Sequence, residues 1–175
     1  GSDTGVVLRY GQKKGRLLIP ARTGIKMKDK DGSEKHVGCN CAIYSDDHGK
    51  TWKTSGVVQP RTGEGCLAEL PDGTIYFNSR TGGDGWRLTA VSKDCGETYA
   101  DFAKSDVLRD CNFGTAASVL SVPKEVHGRH FVLFTNAAHN QPGFNVVWNR
   151  KKFTASVSFD GTKTWPLKKV INPGP

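Results

Sequence analysis

The stretch SDDHGKTW at residues 45–52 recurs along the chain as SKDCGETY at 92–99 and as SFDGTKTW at 158–165. All three copies fit a Ser-x-Asp-x-Gly-x-Thr-Trp/Tyr pattern, although Thr162 replaces the glycine in the third copy and Tyr99 replaces the tryptophan in the second. The aspartate can accept hydrogen bonds from the backbone N–H groups that follow it, and the small residues allow a tight reversal. An aromatic ring at the end can pack beneath the turn. We therefore expect each copy to be a hairpin turn within a repeated structural unit.

The residues that lead into each copy predict strands. Apolar or β-branched residues alternate with others at 41–44, 88–91 and 153–157, which is the period of a strand. The pattern resembles the Asp box of β-propellers, in which the box is a folding element on the outer rim of a blade. A structural role is therefore expected for the residues at the fixed positions: Ser45, Asp47, Gly49, Thr51 and Trp52; Ser92, Asp94, Gly96, Thr98 and Tyr99; Ser158, Asp160, Thr164 and Trp165.

The spacing of the three boxes predicts blades. Their first serines lie 47 and 66 residues apart, against about 40–50 residues for a four-stranded blade. A further hairpin precedes each box, and Asp72-Gly73 is a strong turn signal within the second of these hairpins. We expect an all-β fold of antiparallel four-stranded blades in a β-propeller, with about three blades near 1–59, 60–109 and 110–172.

A propeller closes with typically four to eight blades, because an open one leaves unpaired strand edges. We therefore expect the missing blades in the same longer chain or in a self-associating copy of this one. A twisted open sheet is the remaining alternative.

The charge balance narrows the partners. The chain has 25 Lys and Arg against 17 Asp and Glu, a net charge of +8, which suits an anionic partner. Acidic residues interrupt the basic run at 26–31, and no basic helix or RNA-binding aromatic signature accompanies it, so a nucleic-acid partner is not expected. No stretch is apolar enough to span a membrane. The run up to His36 is expected to be a solvated hairpin loop, and an anionic sugar or carboxylate is the favoured ligand.

The five cysteines do not form a C-x-x-C framework, so we predict buried free thiols and neither a metal site nor a cofactor.

Four collinear stretches carry a resemblance to a known family. GEGCLAELPDGTIYFNSR at 63–80 resembles the segment of sialidases (neuraminidases) that holds a buried glutamate and, after an Asp-Gly hairpin, an arginine in an Asn-x-Arg ending. GRLLIPA at 15–21 is similar to the family's G-R-L-x-I-P strand, and AIY at 42–44 leads into the first box as it does there. The segment from Phe134 through Arg150 to the third box resembles the blade that bears the family's last arginine.

The resemblance implies a six-bladed propeller that removes terminal sialic acid from sialylated glycans with retention of configuration. It further implies a clamp of three arginines on the sugar carboxylate, a Tyr nucleophile activated by a Glu, and an Asp acid/base. Carried over by motif, Glu64 is the partner of the tyrosine, Arg80 the second arginine and Arg150 the third, with Lys151 and Lys152 as neighbouring cations.

These residue types suit a sialic acid. Planar guanidinium groups can hold its carboxylate bidentately, which lysine cannot reproduce. An anionic nucleophile would be repelled by that carboxylate, whereas a neutral tyrosine polarised by a glutamate would not.

Part of the implied site has no counterpart here. The family's first arginine and its Asp precede the G-R-L-x-I-P strand, and its Tyr follows the third box; Tyr10, Tyr44, Tyr76 and Tyr99 do not match that position. We therefore expect an internal three-blade excerpt that is inactive alone.

Two other functions remain open. A non-catalytic Asp-box propeller could bind sialic acid or another glycan, or act as a protein-interaction module. A different glycosidase would need two paired carboxylates, and Glu64 and Glu69 make a poor pair because an odd spacing puts them on opposite faces of a strand.

Overall fold

The computed structural model describes residues 3–82, 85–111, 114–138 and 150–174. Over these ranges the chain forms β-strands and no helix, and therefore no helix that could cross a membrane. The strands are β1 (Val6–Val7), β2 (Leu17–Lys28), β3 (Glu34–Ser45), β4 (Lys53–Thr54), β5 (Gln59–Pro60), β6 (Gly65–Glu69), β7 (Ile75–Ser79), β8 (Trp86–Ser92), β9 (Ala100–Arg109), β10 (Ala117–Ser121), β11 (Val132–Ala137), β12 (Phe153–Ser158) and β13 (Leu167–Asn172).

The strands form three antiparallel sheets in chain order. The first sheet has the order β1-β2-β3-β4, with β5 also paired to β3. The second is β6-β7-β8-β9 and the third is β10-β11-β12-β13. Strand β6 contacts β1 and β2 of the first sheet and β10 of the third, so the second sheet lies between the other two. The predicted all-β fold of antiparallel four-stranded sheets is confirmed.

The hairpin of β6 and β7 is the most deeply enclosed part of this fold, and all ten of its strand residues are buried. Successive side chains point to opposite faces of a strand. Accordingly Leu67 and Phe77 join a core shared with the first sheet, while Cys66, Ala68 and Tyr76 join a core shared with the third. A slip of one residue would exchange these faces, so burial on both sides fixes the register.

The three Asp boxes form the turns that follow β3, β8 and β12, and they share one hydrogen-bond pattern. In the second box Asp94 accepts the hydroxyls of Ser92 (2.6 Å) and Thr98 (2.5 Å) and the backbone N–H groups of Glu97 (3.1 Å) and Thr98 (2.9 Å). The N–H of Gly96 donates to the Ser92 hydroxyl at 2.8 Å. The aspartate thus satisfies the polar groups of a turn that no neighbouring strand can pair.

Each box places its fourth and fifth residues at positive φ, a region that favours glycine. In the third box the glycine stands one position early, as Gly161, and Thr162 takes a φ of 74°. The turn geometry therefore survives the exchange, with a β-branched residue in an unfavourable conformation.

The closing aromatic residues differ in burial. Tyr99 and Trp165 are buried in the two cores, but Trp52 is 42% exposed. The first ring is therefore not part of either core, although it still packs on its turn. The Trp52 ring lies across Gly49 and its indole N–H donates to the Gly49 carbonyl at 3.0 Å, so it covers its own turn instead of the core.

A buried arginine joins the first two boxes. The guanidinium of Arg16 donates to both carboxylate oxygens of Asp46 (2.7 and 2.9 Å), to the Glu97 carboxylate (2.8 Å) and to the Cys95 carbonyl (3.1 Å). Its hydrogen bond holds the pKa of Asp46 below the ordinary value. The first and second sheets are therefore tied together at the end that carries the boxes.

The run at 26–36 is mostly strand, not the solvated loop expected from the sequence. Pairing of β2 with β3 continues to Lys28 opposite Glu34, and only residues 29–33 form the turn. Ile25 pairs with Val37 within this part of the ladder. The charged side chains of the run lie on the faces of the paired strands.

All five cysteines are free and buried, which confirms the burial predicted for them: Cys39, Cys41, Cys66, Cys95 and Cys111. Burial raises the pKa of the Cys39 and Cys41 thiols and that of Cys66 to about 12.

Replacement of Asp94 by alanine removes the acceptor that organises the second box. We expect Asp94→Ala to lower the free energy of unfolding by about 1–3 kcal/mol through loss of these hydrogen bonds, measured by urea denaturation. Any ligand affinity of the folded protein should stay unchanged, because the box lies at the other end of the sheet from Glu64 and Arg80. Asp94→Asn keeps an acceptor and should cost less; a selective loss of affinity without destabilisation would contradict a structural role.

The lowered pKa values of the box aspartates predict that the fold loses stability at acidic pH. Hydrogen bonds from Thr51 lower the pKa of Asp47 to about 2 from 3.8. For Asp94 and Asp160 burial raises the pKa, but hydrogen bonds from the box Ser and Thr outweigh it and the net shift is downward. The folded state therefore binds protons less readily than the unfolded one, and the contribution to stability is present above pH 3.8 and lost as the pH falls towards 2. Urea midpoints measured from pH 7 to pH 2 should decrease below pH 3.8, and they should decrease less steeply in Asp94→Asn than in the wild type. An equal pH dependence in the two proteins would refute a contribution from Asp94.

Candidate functional site: an arginine–glutamate pair at the end of the second sheet

Glu64 and Arg80 lie one step beyond the buried β6–β7 ladder. The last paired residues are Gly65 and Ser79, and the N–H of Arg80 then donates to the Glu64 carbonyl at 2.9 Å. The N–H of Gly63 donates back to the Arg80 carbonyl at 2.9 Å. The two residues are therefore cross-strand neighbours whose backbone is fixed by the ladder.

This pair and the second Asp box occupy opposite ends of the sheet. Ile75, at the start of β7, pairs with Ser92 of the box, whereas Ser79 at its end pairs with Leu88. The chemistry implied for Glu64 and Arg80 is thus separated from the turn by the length of β7.

The two side chains form an ion pair. The Arg80 guanidinium donates a hydrogen bond from Nη1 to Oε2 of Glu64, with 22% and 29% of the two side chains exposed. Burial raises the pKa of Glu64, but hydrogen bonds from its own N–H and from Arg80, with the charges of Arg80 and Arg22, bring it below the ordinary value. Glu64 is therefore a carboxylate at neutral pH, facing a cation and partly open to solvent.

Two glycines shape the space around Arg80. A Cβ at Gly63 would lie 3.0 Å from Arg80 Cδ. A Cβ at Gly114, whose φ is 67°, would lie 2.4 Å from Arg80 Cγ, 2.6 Å from Nε and 2.3 Å from the Thr81 carbonyl oxygen. Gly63 stood within the sialidase-like stretch without a role, and Gly114 had no motif to mark it. Both let the backbone pack directly against the arginine.

The first sheet supports the segment that carries Glu64. The buried Asn40 side chain donates to the Ser79 hydroxyl at 2.8 Å, and its backbone N–H donates to the Thr62 hydroxyl at 3.0 Å. Thr62 in turn donates to the Gln59 carbonyl at 2.6 Å. Residues 59–64 are thereby held between two sheets.

Arg22 is a cation near this pair that the sequence analysis did not single out. Its guanidinium nitrogen lies 3.3 Å from where a Cβ of Gly38 would be, beside the Thr62 carbonyl. Its charge contributes to the lowered pKa of Glu64. The exposed side chain of Arg22 therefore adds positive charge beside Glu64.

Arg150 is exposed and precedes β12, whose other end carries the third box. It therefore lies, like Arg80, at the end of its sheet away from the box. The described contacts do not join Arg150 to Glu64 or Arg80, and residues 139–149 before it lie outside the described ranges. Of the neighbouring cations, Lys152 donates its N–H to the Pro173 carbonyl at 3.1 Å, and Lys151 packs on Gly174. Among the described residues no cluster of His, Cys, Asp and Glu could hold a metal ion.

Glu69 has a structural role. Its carboxylate accepts the backbone N–H groups of Arg9 (2.6 Å) and Tyr10 (2.9 Å), which anchors the loop after β1. It is buried at the far end of β6 from Glu64.

The sheet order and the three boxes define an Asp-box propeller unit, and comparisons with known proteins identify its family. The model of the BNR repeat-like domain matches residues 6–175. The chain is 34% identical over 177 positions to a sialidase of Micromonospora viridifaciens, covering 99% of this chain and 25% of that protein. The chain belongs to the BNR repeat-like domain family, and its relatives are sialidases.

Solved structures agree. A Hadza microbial sialidase superposes with a TM-score of 0.74 at 28% identity, over 97% of this chain and 30% of that one. The intramolecular trans-sialidase of Ruminococcus gnavus, solved with oseltamivir carboxylate, gives a TM-score of 0.65 at 25% identity, over 95% of this chain and 31% of that one. The sialidase-family resemblance and the β-propeller fold are thus confirmed, and this chain spans about a quarter of the length of the Micromonospora relative.

The glycine that faces Arg80 can be tested against a matched control. Gly114→Ala and Gly128→Ala both place alanine at a φ near 70°, but only at Gly114 does the new methyl group meet other atoms within 4 Å. Both should lose stability from the backbone, about 1–2 kcal/mol. Gly114→Ala should lose about 1–3 kcal/mol more through overpacking and should displace the Arg80 side chain from Glu64. Urea denaturation and crystal structures of both variants measure this; equal losses with Arg80 in place would refute the contact.

Proposed function

We propose that the protein carrying this chain is an exo-α-sialidase, a retaining glycoside hydrolase that removes terminal sialic acid from glycoconjugates. This chain supplies Glu64, Arg80 and Arg150 to its site. The observation that carries the proposal is the Arg80–Glu64 ion pair, fixed at the end of a fully buried ladder in a chain whose family relatives are sialidases.

Arg80 is suited to hold the sugar carboxylate. A guanidinium has five N–H donors in a planar fork, so it can bind a carboxylate bidentately and keep its bond to Glu64. The Ruminococcus gnavus neighbour was solved with a ligand that is itself a carboxylate. Arg150 is proposed as a further arm of the same clamp, reaching the ligand from the third sheet.

Glu64 is suited to activate a tyrosine. In the proposed step a Tyr hydroxyl passes its proton to Glu64 while its oxygen attacks the anomeric carbon, and an Asp gives a proton to the departing sugar oxygen. Water then gives a proton to the Asp carboxylate and attacks the anomeric carbon, and the Tyr oxygen leaves and regains its proton from Glu64. The two successive inversions retain the configuration. The cation that lowers the pKa of Glu64 is also the ligand of the substrate carboxylate. Substrate binding therefore offsets the Arg80 charge and makes Glu64 a better base at the moment it is needed.

We place the Tyr nucleophile, the Asp and the first arginine outside this chain. Tyr76 and Tyr99 are buried, and burial raises the pKa of both hydroxyls, which opposes nucleophilic use. Tyr44 is also buried, beneath the Arg16 guanidinium. The chain alone is therefore proposed to lack turnover.

The substrate-binding role of Arg80 is tested by Arg80→Lys in the full-length protein. Loss of a bidentate, charge-assisted contact should lower kcat/KM for a fluorogenic sialoside by about 10- to 100-fold. Arg9→Lys is the matched control, since Arg9 is exposed and lies by Glu69 at the box end of the fold, and it should leave kcat/KM unchanged.

Three outcomes separate the hypotheses. Equal kcat/KM in Arg80→Lys and wild type would remove Arg80 from the clamp. Absence of turnover in wild type, with saturable binding of sialic acid that Arg80→Lys weakens, would favour a glycan-binding module. Absence of both would remove sialic acid as the ligand.

A further inference from the structure

The second sheet, which carries Arg80, contains another arginine, Arg87, that is fully buried in an ion pair. Arg87 on β8 and Asp110, just after β9, have no exposed side-chain area, and Nη1 of Arg87 donates to Asp110 Oδ2 at 2.9 Å. The same nitrogen donates to the Thr115 carbonyl at 2.6 Å, and Nε donates to the Asn78 side chain at 2.7 Å. None of these residues belongs to an Asp box or to the proposed clamp.

The pair binds described residues of the connection between β9 and β10. Oδ1 of Asp110 accepts the backbone N–H groups of Cys111 (3.0 Å) and Thr115 (2.9 Å) and the Thr115 hydroxyl (3.2 Å). The backbone of Thr115 is therefore bound at both polar groups: its N–H donates to Asp110, and its carbonyl accepts from Arg87. The N–H of Gly114 donates to the Cys111 carbonyl at 2.7 Å.

This connection presents Gly114 to Arg80. Gly114 immediately precedes Thr115. Its Cα lies so close to Cγ and Nε of Arg80 that a methyl group would not fit between them. Arg80 is confined on another side by Gly63. The backbone that brings Gly114 against Arg80 is thus bound, one residue later at Thr115, by Arg87 and Asp110.

A buried ion pair contributes little to folding stability, since desolvation offsets most of its attraction and apolar residues of similar volume often replace it without loss. A lone buried charge is costly, however, so the two side chains must stay paired in the folded state. We propose that the Arg87–Asp110 pair is the positioning element of Arg80, which holds Gly114 against its side chain and so holds the guanidinium on Glu64. The consequence for sialic acid rests on the proposed function; the positioning itself does not.

The chain provides a matched control. Arg16 is also a buried arginine with several hydrogen bonds to carboxylates and a carbonyl, but it lies at the box end of the fold. Arg87→Lys and Arg16→Lys should each lower the urea midpoint, since each removes a planar fork from a buried site. Only Arg87→Lys should release Arg80.

The readout is the pKa of Glu64, measured by NMR titration of the full-length protein labelled with ¹³C at the glutamate carboxyl groups and assigned with Glu64→Gln. Arg80 lowers this pKa in the native chain. Arg87→Lys should raise it towards the ordinary glutamate value, while Arg16→Lys should leave it in place. An unchanged pKa in Arg87→Lys, or equal rises in both variants, would overturn the proposal.

Thr115→Val provides a variant that keeps both charges and loses only the hydroxyl bond to Asp110. It should fold and should raise the Glu64 pKa in the same direction by a smaller amount, and no rise would count against the proposal. In the full-length protein Arg87→Lys should raise KM for a sialoside about 10-fold or more, and Arg16→Lys should not. If the wild type neither hydrolyses nor binds sialosides, the proposed function fails while the titration still decides the positioning.

Discussion

The β6–β7 ladder is buried on both faces, and the rest of the described structure is arranged around that constraint. Its alternate side chains fill one core with the first sheet and another with the third. A strand enclosed in this way cannot slip by one residue without moving every side chain into the wrong core. Glu64 and Arg80 follow the last pair of the ladder, so their relative position is inherited from the two cores and not from the loop in which they lie.

The two ends of each sheet have different tasks. The boxes close one end with aspartates that bind their own turns, and Arg16 joins two of them through Asp46 and Glu97. The other end carries Glu64 and Arg80, packed against glycines, together with the buried pair of Arg87 and Asp110. A buried guanidinium thus lies near each end of the second sheet, and the partly exposed Glu64 and Arg80 are flanked by well-packed backbone.

The sequence predicts those features that arise from neighbouring residues. The boxes, the Asp72-Gly73 hairpin and the alternation of the strands are local, and the sialidase-like stretch places Glu64 and Arg80 on either side of one hairpin. The contact of Gly114 with Arg80 and the pairing of Arg87 with Asp110 join residues far apart in the chain, and a glycine or an arginine has no local signature for such a contact. The continued pairing of β2 with β3 was missed because charged residues on an exposed ladder resemble a loop.

The five buried thiols can report on the unfolding of the regions that contain them. Cys39 and Cys41 belong to the first sheet, Cys66 and the box residue Cys95 to the second, and Cys111 to the turn before the third. Burial suppresses the thiolates of Cys39, Cys41 and Cys66, so a thiol reagent in solution meets little nucleophile while the sheets are closed. The order in which the five thiols react under mild denaturation would therefore show the order in which the sheets separate from one another, and Cys111 would report on the segment next to Gly114.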